Sequence, residues 1–461
     1  MKKPRINLGA KNDKYSGKAA FCTNPQATLN HDNTTASAAH PQSHFLFWTS
    51  KIIITTAFLT SLCGCKAREP ARPTPQMDAE PQFWVRVLLF DDVNDCKLKI
   101  RSPFSVNTSD NPTLNTRDAA RMNAAFNIHI SNGRITIGSQ DFTGNEIIIS
   151  PDEPYIFNLN GNDYRGKLKL IPSSDANSFD AVNLVPLEPY IAGVVGAEMP
   201  RYWEPTALNA QAIASRSYCL YIKKRFGGNR NWDVRRTQAH QVYLGIKAES
   251  AQVWSAVNKT HGQVLVCKNS AGTEEILPAY YSSVCGGHTE NSKYVFGDSF
   301  EALAGVRCPY CKDIARPHFF FWPAVQFDKT YVTKRLLQRY PNLKKLGKIT
   351  NIEAARQSDY EGNYGKYSRL TLVKLLGSTG KSDFLRAEDF RLSIDPSGRK
   401  IKSAICQIAN WGDKWAFLSG RGFGHGVGMC QSGAQGMARQ GKTTNQILNY
   451  YYPRSRIIKV Y

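Results

Sequence analysis

The sequence predicts an α+β protein: a β-rich N-terminal region followed by a mixed domain with a cleft helix and C-terminal helices. Two observations support this prediction. Between residues 83 and 182 the chain consists of short runs rich in β-branched residues, such as FWVRVLLF and NEIIIS, separated by Asn, Asp, Gly, Ser and Pro, which is typical of antiparallel strands. Beyond residue 182 helical and strand-like segments alternate, and we therefore assign residues 183–461 to the mixed domain.

Local signals place the helices of the mixed domain. In WEPTALNAQAIASRSYCLYIKKRF, Pro205 falls in the first turn, and three basic residues followed by a Gly-Gly pair mark the other end. Proline is tolerated at the start of a helix, whereas cations and glycines favour its C-terminus. Near the end of the chain Thr443 and Gln446 match a capping box, and Pro453 ends the run that follows. We therefore predict a long helix after residue 204 and two short helices near the C-terminus.

The chain is strongly basic and long enough to bury a substantial core. Its 461 residues include 59 Lys and Arg against 37 Asp and Glu, a formal charge of +22. So large an excess favours an acidic partner: nucleic acid, an anionic membrane surface or an anionic polysaccharide. The charge alone does not distinguish these partners, but the absence of a basic motif studded with aromatic residues argues against nucleic acid.

The first 65 residues have the pattern of a targeting signal. Lys51 precedes eleven mostly apolar residues, a stretch too short to cross a bilayer, which ends in LCGC. This pattern resembles the lipobox of bacterial lipoproteins, in which a small residue precedes the lipidated cysteine, here Cys65. We expect residues 1–65 to be an N-terminal extension and lipoprotein-type signal and residues 66–82 a Pro-rich linker. The protein would then be a membrane-anchored lipoprotein of the periplasm or cell envelope; the alternative is a buried helix or strand beside a chance pair of cysteines.

Three segments carry residues of chemical interest, in the order VVGAEMPRYWEPTALNAQAIASRS, YYSSVCGGHTENSKYVFG and SGRGFGHGVGMCQSGAQG. Together they closely resemble the SpoIID family of stage II sporulation proteins, whose relatives include LytB-type amidase enhancers. The resemblance covers about residues 160–461 and keeps the three motifs in family order. Each motif alone would be weak evidence, whereas three long matches in order are a specific signal.

The resemblance implies a lytic transglycosylase, which cleaves the MurNAc–GlcNAc bond of peptidoglycan strands and leaves a 1,6-anhydro-MurNAc end. The catalytic acid of the family is the glutamate of its A-E-M-P motif, here Glu198. This residue precedes an almost uncharged helical segment, and apolar surroundings keep a carboxyl group protonated by disfavouring its charged form. From the residues alone, Glu198 could instead cap the following helix or form a salt bridge with it.

The resemblance also suggests residues that line a glycan cleft. These candidates for substrate binding are Gln211, Arg216, Tyr281, Ser282, Arg421, His425 and Gln431. For Gln211 and Arg216, on the predicted helix, an exposed or packing role is an equal alternative. Glycine at every second position around His425 allows close approach of the backbone, and a packing role for His425 also stays open.

Cysteines and one histidine form a second candidate site. Cys285-x-x-His288 and Cys308-x-x-Cys311 have the paired short spacing of a four-ligand zinc site. Four protein ligands leave no open position, so the zinc would be structural. Disulfides are the alternative, because the expected compartment is oxidising. Cys430, where members of the resembled family commonly have Ser, belongs to the remaining cysteines, most of which we expect to be buried apolar side chains.

The predicted function is therefore cleavage of peptidoglycan glycan strands, in particular strands stripped of stem peptides, during wall remodelling, division or sporulation. In such strands each MurNAc exposes a carboxylate, which a basic groove attracts. The alternative is a non-catalytic wall-binding protein that enhances an N-acetylmuramoyl-L-alanine amidase. The expected partners are glycan strands, a cell-wall amidase and the membrane through the lipid anchor, and we expect no nucleic acid.

Overall fold

The computed structural model describes residues 83–108, 114–115, 125–269, 272–363 and 365–461, and all features below refer to these residues. The predicted signal, the linker and Cys65 lie outside them. Helices and strands both make up large parts of the fold, so the predicted α+β class is confirmed. Within these ranges, no helix combines the length and the apolar character that a membrane crossing requires.

The N-terminal part consists of two sheets that share one hydrophobic core. Its strands are β1 (Trp84–Val93), β2 (Asp95–Ile100), β3 (Phe104–Thr108), β4 (Leu114–Asn115), β5 (Ala125–Ser131), β6 (Arg134–Ile137), β7 (Gln140–Phe142), β8 (Ile147–Pro151), β9 (Ile156–Leu159), β10 (Asn162–Arg165), β11 (Lys167–Pro172) and β12 (Phe179–Pro186). One sheet contains the order β1-β12-β11-β8-β3-β4 and the other has the order β10-β9-β2-β5-β6-β7. In β2, Cys96, Leu98 and Ile100 are buried whereas Asp95 and Lys97 are exposed, the period of two expected for a half-buried strand.

The two predicted regions are continuous in the structure. β12 crosses the predicted boundary after residue 182 and leads directly into α1 (Leu187–Glu198). The short strand β13 (Val234–Arg235), from the mixed domain, pairs in parallel with β1 and extends the first sheet at its edge. The core of the sheets therefore continues into the helices.

The central element of the mixed domain is α2 (Pro205–Phe226), which confirms the helix predicted after residue 204. The other elements of this part are α3 (Ala251–Lys259), β14 (Gln263–Lys268), β15 (Glu274–Ile276), β16 (Tyr281–Ser282), α4 (Ser292–Val295), β24 (Gly420–Arg421), β25 (Met429–Cys430), α8 (Gln431–Arg439), α9 (Thr444–Tyr451) and β26 (Arg456–Lys459). α1, α3, α8 and α9 all pack against α2. The capping box predicted at Thr443 is present at the start of α9.

Residues 317–418 form an inserted subdomain with a hydrophobic core of its own, which the sequence did not predict. Its elements are α5 (Pro317–Phe320), β17 (Phe321–Trp322), β18 (Val325–Asp328), α6 (Lys329–Arg339), β19 (Ile349–Gly362), β20 (Gly365–Gly377), β21 (Ser382–Arg386), α7 (Ala387–Ile394), β22 (Gln407–Trp411) and β23 (Lys414–Leu418). The long hairpin of β19 and β20 reaches back to the mixed domain, where the Tyr360 hydroxyl donates to Glu290 Oε2 at 2.9 Å. This contact joins the subdomain to the second sequence motif.

Candidate active site and cysteine cluster

Glu198 is the last residue of α1, and groups from two other segments hold its carboxyl oxygens. The backbone N–H of Val242 donates to Oε1 at 2.8 Å, and Gln431 Nε2 donates to Oε2 at 3.3 Å. Burial raises the pKa of the Glu198 carboxyl, and these two hydrogen bonds oppose the shift only in part. Its position at a helix C-terminus, where negative charge is disfavoured, acts in the same direction as burial.

The carboxyl group of Glu198 does not cap α2. The N-cap of α2 is Glu204, whose side chain makes no capping hydrogen bond. The hydrogen bonds of Glu198 run instead to Val242 and Gln431. A carboxyl group whose pKa is raised and whose two oxygens are held in place is suited to storing and releasing a proton.

Side chains from α2, β16 and the loop before Val242 extend this arrangement. Gln211 on α2 is fully buried; its Oε1 accepts from Gln431 Nε2 at 3.4 Å, and its Nε2 donates to Ser215 Oγ at 2.9 Å. The hydroxyl of the half-buried Tyr281 accepts from Gln241 Nε2 at 2.9 Å, and the same nitrogen donates to the backbone carbonyl of Ser215 at 3.2 Å. The structure thus places three of the predicted cleft residues in one network with the candidate acid.

Three members of this network were not predicted. Val242 takes part through its backbone N–H, which no side-chain pattern reveals. Gln241 lies in a loop that no motif marks. Ser215 lies four residues after Gln211, and this spacing, which puts two helical residues side by side, was the signal available in the sequence.

Arg216 does not line the cleft, contrary to the prediction. Its side chain is 0 % exposed and forms a bidentate ion pair with Glu188 of α1, with N–O distances of 2.8 and 2.7 Å. It also donates to the backbone carbonyl of Gln263 at 2.9 Å. A guanidinium that is buried and fully paired ties α1 to α2 and is not available to a ligand. Ser282 is likewise buried, and in the described part of the chain its hydroxyl oxygen has no hydrogen-bond partner.

Arg421 and His425 of the glycine-rich motif are held by the protein itself. Arg421 is 4 % exposed; its Nε donates to the carbonyl of Gly286 at 2.5 Å, and its guanidinium carbon lies 3.8 Å from the centre of the Tyr367 ring. His425 Nδ1 accepts from the N–H of Val427 at 3.0 Å. Burial lowers the pKa of His425 to about 4, so the ring is neutral at pH 7. This geometry corresponds to the packing role that the sequence left open for His425.

The alternating glycines of this motif also have a packing explanation. A Cβ at Gly426, where φ is +77°, would lie 2.6 Å from the guanidinium of Arg369. A Cβ at Gly428 would lie 2.0 Å from the carbonyl oxygen of Tyr280. Arg369 comes from β20, is 1 % exposed and donates to the carbonyl of Cys285 at 2.7 Å. Gly426 therefore lets the inserted hairpin approach the third motif, and Gly428 lets the second motif approach it.

Four cysteines form a buried cluster whose membership differs from the predicted metal site. Their sulfur atoms lie within 4.8 Å of one another, and they are Cys285, Cys308, Cys311 and Cys430. His288 lies apart from them: its ring stacks on that of Tyr360 with centroids 4.2 Å apart, and its Nδ1 lies 2.6 Å from the carbonyl oxygen of Thr289. The structure therefore corrects the ligand set by replacing His288 with Cys430. The physical reason is the parallel pairing of β16 with β25, which sets Cys430 opposite Ser282 and beside the second motif.

The cysteine cluster has the dimensions of a tetrahedral zinc site. A Zn–S bond of about 2.3 Å implies about 3.8 Å between sulfur atoms, and the sulfur atoms of Cys285 and Cys311 are 3.8 Å apart. The N–H of Cys285 donates to Cys430 Sγ at 3.2 Å, and the Tyr451 hydroxyl lies 3.1 Å from Cys308 Sγ. Burial opposes ionisation of the Cys308 thiol, but hydrogen bonds from the other three cysteines and from Tyr451 hold its pKa well below its ordinary value. The residues present therefore fit a zinc ion.

Comparison with known proteins places these features in a family context. The SpoIID family model, described as "Stage II sporulation protein", matches residues 175–267, which include Glu198 and α2. An uncharacterized protein of Brachyspira hyodysenteriae is 31% identical over 298 residues, which cover 64% of this chain and 72% of that protein. Stage II sporulation protein D of Bacillus subtilis is 29% identical over 296 residues, covering 60% of this chain and 76% of that protein. An amidase enhancer of Bacillus subtilis is 26% identical over 360 residues, covering 71% of this chain and 49% of that protein.

Proposed function

The chain belongs to the SpoIID family, and on that basis we propose that it is a lytic transglycosylase of peptidoglycan. A role at the cell wall follows from the family and from the relatives named above. The finer proposal is cleavage of the MurNAc–GlcNAc bond in glycan strands, in particular strands stripped of stem peptides. The observation that carries it is Glu198, a carboxyl group with a raised pKa whose two oxygens are held by different donors.

Glu198 acts in this proposal first as an acid and then as a base. Because the N–H of Val242 can only donate, Oε1 stays an acceptor and Oε2 carries the proton. Oε2 gives this proton to the glycosidic oxygen as the bond from MurNAc C1 to that oxygen breaks. The C6 hydroxyl of the same sugar then forms the new bond to C1, and its proton returns to Oε2. The carboxyl group ends as it began, and no water is consumed.

The surroundings of Glu198 support a mechanism with one carboxyl group. A glycosidase that uses water or a covalent intermediate needs a second carboxylate close to the first. Two acidic residues of the neighbouring segments are already committed: Glu188 pairs with Arg216 at 2.7 Å, and Asp233 pairs with Arg86 at 2.7 Å. The hydroxyl of the substrate is therefore the nucleophile that this site accommodates best.

The variant Glu198→Gln tests this proposal, because it keeps the side-chain shape and cannot donate a carboxylic proton. We expect it to fold and to bind denuded glycan while losing about 10² or more in turnover. Amidase-treated and untreated sacculi are incubated with residues 83–461, and the products are identified by mass. The wild type should release ends in 1,6-anhydro-MurNAc from the treated sacculi. Reducing MurNAc ends would indicate a hydrolase, and a fully active variant would exclude Glu198 from the mechanism.

A second candidate function is the enhancement of a cell-wall amidase, which the match to the Bacillus subtilis amidase enhancer supports. The net charge of +22 suits a protein that binds an anionic wall polymer in either role. Adding the wild type and Glu198→Gln to an N-acetylmuramoyl-L-alanine amidase with sacculi separates the two roles. Equal enhancement by both proteins, without glycan products of their own, would favour the enhancer.

We also propose that the four-cysteine cluster holds a structural zinc ion. The four side chains would be its ligands, so no position is left for a substrate or a water molecule, and the ion would contribute folding energy only. The purified protein should contain close to one zinc per chain by elemental analysis. Peptide mapping without reduction that finds Cys285 or Cys308 in a disulfide would contradict this proposal.

The proposed location is the outer face of a membrane, through a lipid on Cys65, a residue outside the described part of the chain. Cys65→Ser should then leave the protein unlipidated in cells. Mass spectrometry of the N-terminal peptide checks this, and a mature N-terminus far upstream of Cys65 would contradict it.

A further inference from the structure

A series of hydrogen bonds connects Glu198 to the hydroxyl of Ser215 through the buried side chains of Gln431 and Gln211. We propose that Gln431, Gln211 and Ser215 form a reversible hydrogen-bond chain, which reverses direction when Glu198 gains or loses its proton. The catalytic consequence of this chain rests on the proposed function, whereas its existence does not. Gln431, Gln211 and Ser215 would act as positioning residues. The chain does not depend on the substrate contacts that the sequence analysis assigned to Gln211 and Gln431.

The contacts of the chain are continuous and shielded from water. Gln431 Nε2 lies 3.3 Å from Glu198 Oε2 and 3.4 Å from Gln211 Oε1, and Gln211 Nε2 lies 2.9 Å from Ser215 Oγ. Gln211 and Ser215 are 0 % exposed and Gln431 is 4 % exposed. In such surroundings an unpaired polar group is costly, so every change of protonation at one end must be accommodated along the series.

The groups that lie beside the two ends of the chain have fixed orientations. The N–H of Val242 can only donate to Oε1 of Glu198. Gln241 Nε2 lies 3.2 Å from the backbone carbonyl of Ser215, which can only accept, and Gln241 Oε1 accepts from the Tyr190 hydroxyl at 3.0 Å. Gln241 therefore always donates to the Tyr281 hydroxyl, at 2.9 Å. These fixed groups define what the chain between them can do.

The members of the chain itself are free to reverse. Within the described residues, the side-chain hydrogen bonds of Gln211 and Gln431 run only to each other, to Glu198 and to Ser215. A primary amide presents a donor on one side and an acceptor on the other, and a half-turn exchanges them. A hydroxyl group both donates and accepts, and its hydrogen rotates. Each link can therefore exist in two directions with the heavy atoms in place.

The two directions correspond to the two protonation states of Glu198. When Glu198 is ionised, Gln431 donates to Oε2 and Gln211 donates to Ser215. When Oε2 carries a proton, that O–H donates to Gln431, Gln211 donates to Gln431, and Ser215 donates to Gln211. The three bonds that join Glu198, Gln431, Gln211 and Ser215 are kept in both states, with donors and acceptors exchanged.

Two titratable hydroxyls lie close enough to Glu198 for its charge to act on them. They belong to Tyr218 and Tyr281, and burial raises the pKa of both. Both tyrosines therefore stay neutral while Glu198 titrates. A shift in the pKa of Glu198 consequently reports on the chain.

The test is Ser215→Ala, which removes one link without touching Glu198. In the ionised state Gln211 Nε2 then points at a methyl group, whereas in the protonated state only a carbonyl oxygen loses its donor, which costs less. The ionised state is thus disfavoured more, and the pKa of Glu198 should rise by about one pH unit. Carboxyl ¹³C NMR of the glutamate-labelled protein, assigned with Glu198→Gln, measures it. The turnover of denuded glycan should fall about tenfold while KM stays within about twofold.

Ser217→Ala is the matched control, because Ser217 lies on the same helix and is 0 % exposed. Among the described residues its hydroxyl bonds only backbone groups, those of Ile213 and Leu265. It should lower stability but leave both the pKa of Glu198 and turnover unchanged. In Gln211→Met, where the chain is already broken, adding Ser215→Ala should have no further effect on the pKa.

An unchanged pKa of Glu198 in Ser215→Ala, or an equal shift in Ser217→Ala, would overturn the chain. The NMR titration requires no glycan cleavage. Therefore a protein that shows the shift but no turnover would refute the proposed function and keep the chain, and turnover without the shift would do the reverse.

Discussion

Gly426→Ala should destabilise the protein far more than backbone strain alone explains. Gly426 has a φ of +77°, and an alanine in this left-handed region costs about 1 kcal/mol. Its Cβ would also lie 2.6 Å from the Arg369 guanidinium, whereas ordinary contact begins at 3.4 Å. That guanidinium is 1 % exposed and donates to the Cys285 carbonyl at 2.7 Å. Displacing a buried charge from its acceptor costs roughly 2–3 kcal/mol, so we expect a total loss of about 3–4 kcal/mol.

Gly441→Ala is the matched control for backbone strain. Gly441 has a φ of +78°, and no atom lies within 4 Å of its Cβ position, so this variant should lose only about 1 kcal/mol. Urea unfolding followed by tryptophan fluorescence gives both free energies of unfolding, with equal m values as the condition for comparing them. If the two variants differ by less than about 1 kcal/mol, the packing explanation of the glycine motif is wrong. A contact with a ligand would then have to account for these glycines.

Three further outcomes test the assignments of individual residues. Cys430→Ser should abolish bound zinc and His288→Asn should retain it in elemental analysis; the opposite result would restore the ligand set predicted from the sequence. Arg216→Met should cost about 3–5 kcal/mol in urea unfolding because it leaves Glu188 without its partner, whereas a raised KM at full stability would indicate substrate binding. Burial raises the pKa of folded Glu198 above its unfolded value, so the stability it contributes at low pH is lost as pH rises through the folded pKa. Glu198→Gln, which never ionises, should therefore gain melting temperature over the wild type on going from pH 4 to pH 8, and a constant difference would contradict the raised pKa.

The parts of the fold that the sequence predicted are those fixed by neighbouring residues. The alternation in β2 and the proline and basic residues at the two ends of α2 act over one or two turns of chain. The subdomain of residues 317–418 was missed because its core joins α6, α7 and the β19–β20 hairpin, which are distant in sequence. Most residues of β19 are exposed, so the strand lacks the alternation that would have indicated which face is buried.

The candidate site, too, could be predicted from the sequence only in part. The resemblance brought Glu198, Gln211, Tyr281 and Gln431 to attention, and the structure gathers them. The resemblance also suggested Arg216, which lies five residues after Gln211 on α2. On an α-helix, five residues correspond to a rotation of about 140° around the axis. Two side chains so far apart around α2 cannot both face one cleft, and the structure buries Arg216 against α1.

The cysteine cluster and the cleft are built on the same two strands. β16 and β25 pair in parallel, with Tyr281 opposite Met429 and Ser282 opposite Cys430. The segment that begins with Tyr281 reaches Cys285 three residues after β16 ends, and Cys430 is followed at once by Gln431. A bond between Cys285 and Cys430 through a shared ion would therefore fix the separation of two groups that belong to the network of Glu198. A closed metal site can in this way determine the geometry of the cleft without contacting the substrate, and its removal should lower turnover through the position of Gln431.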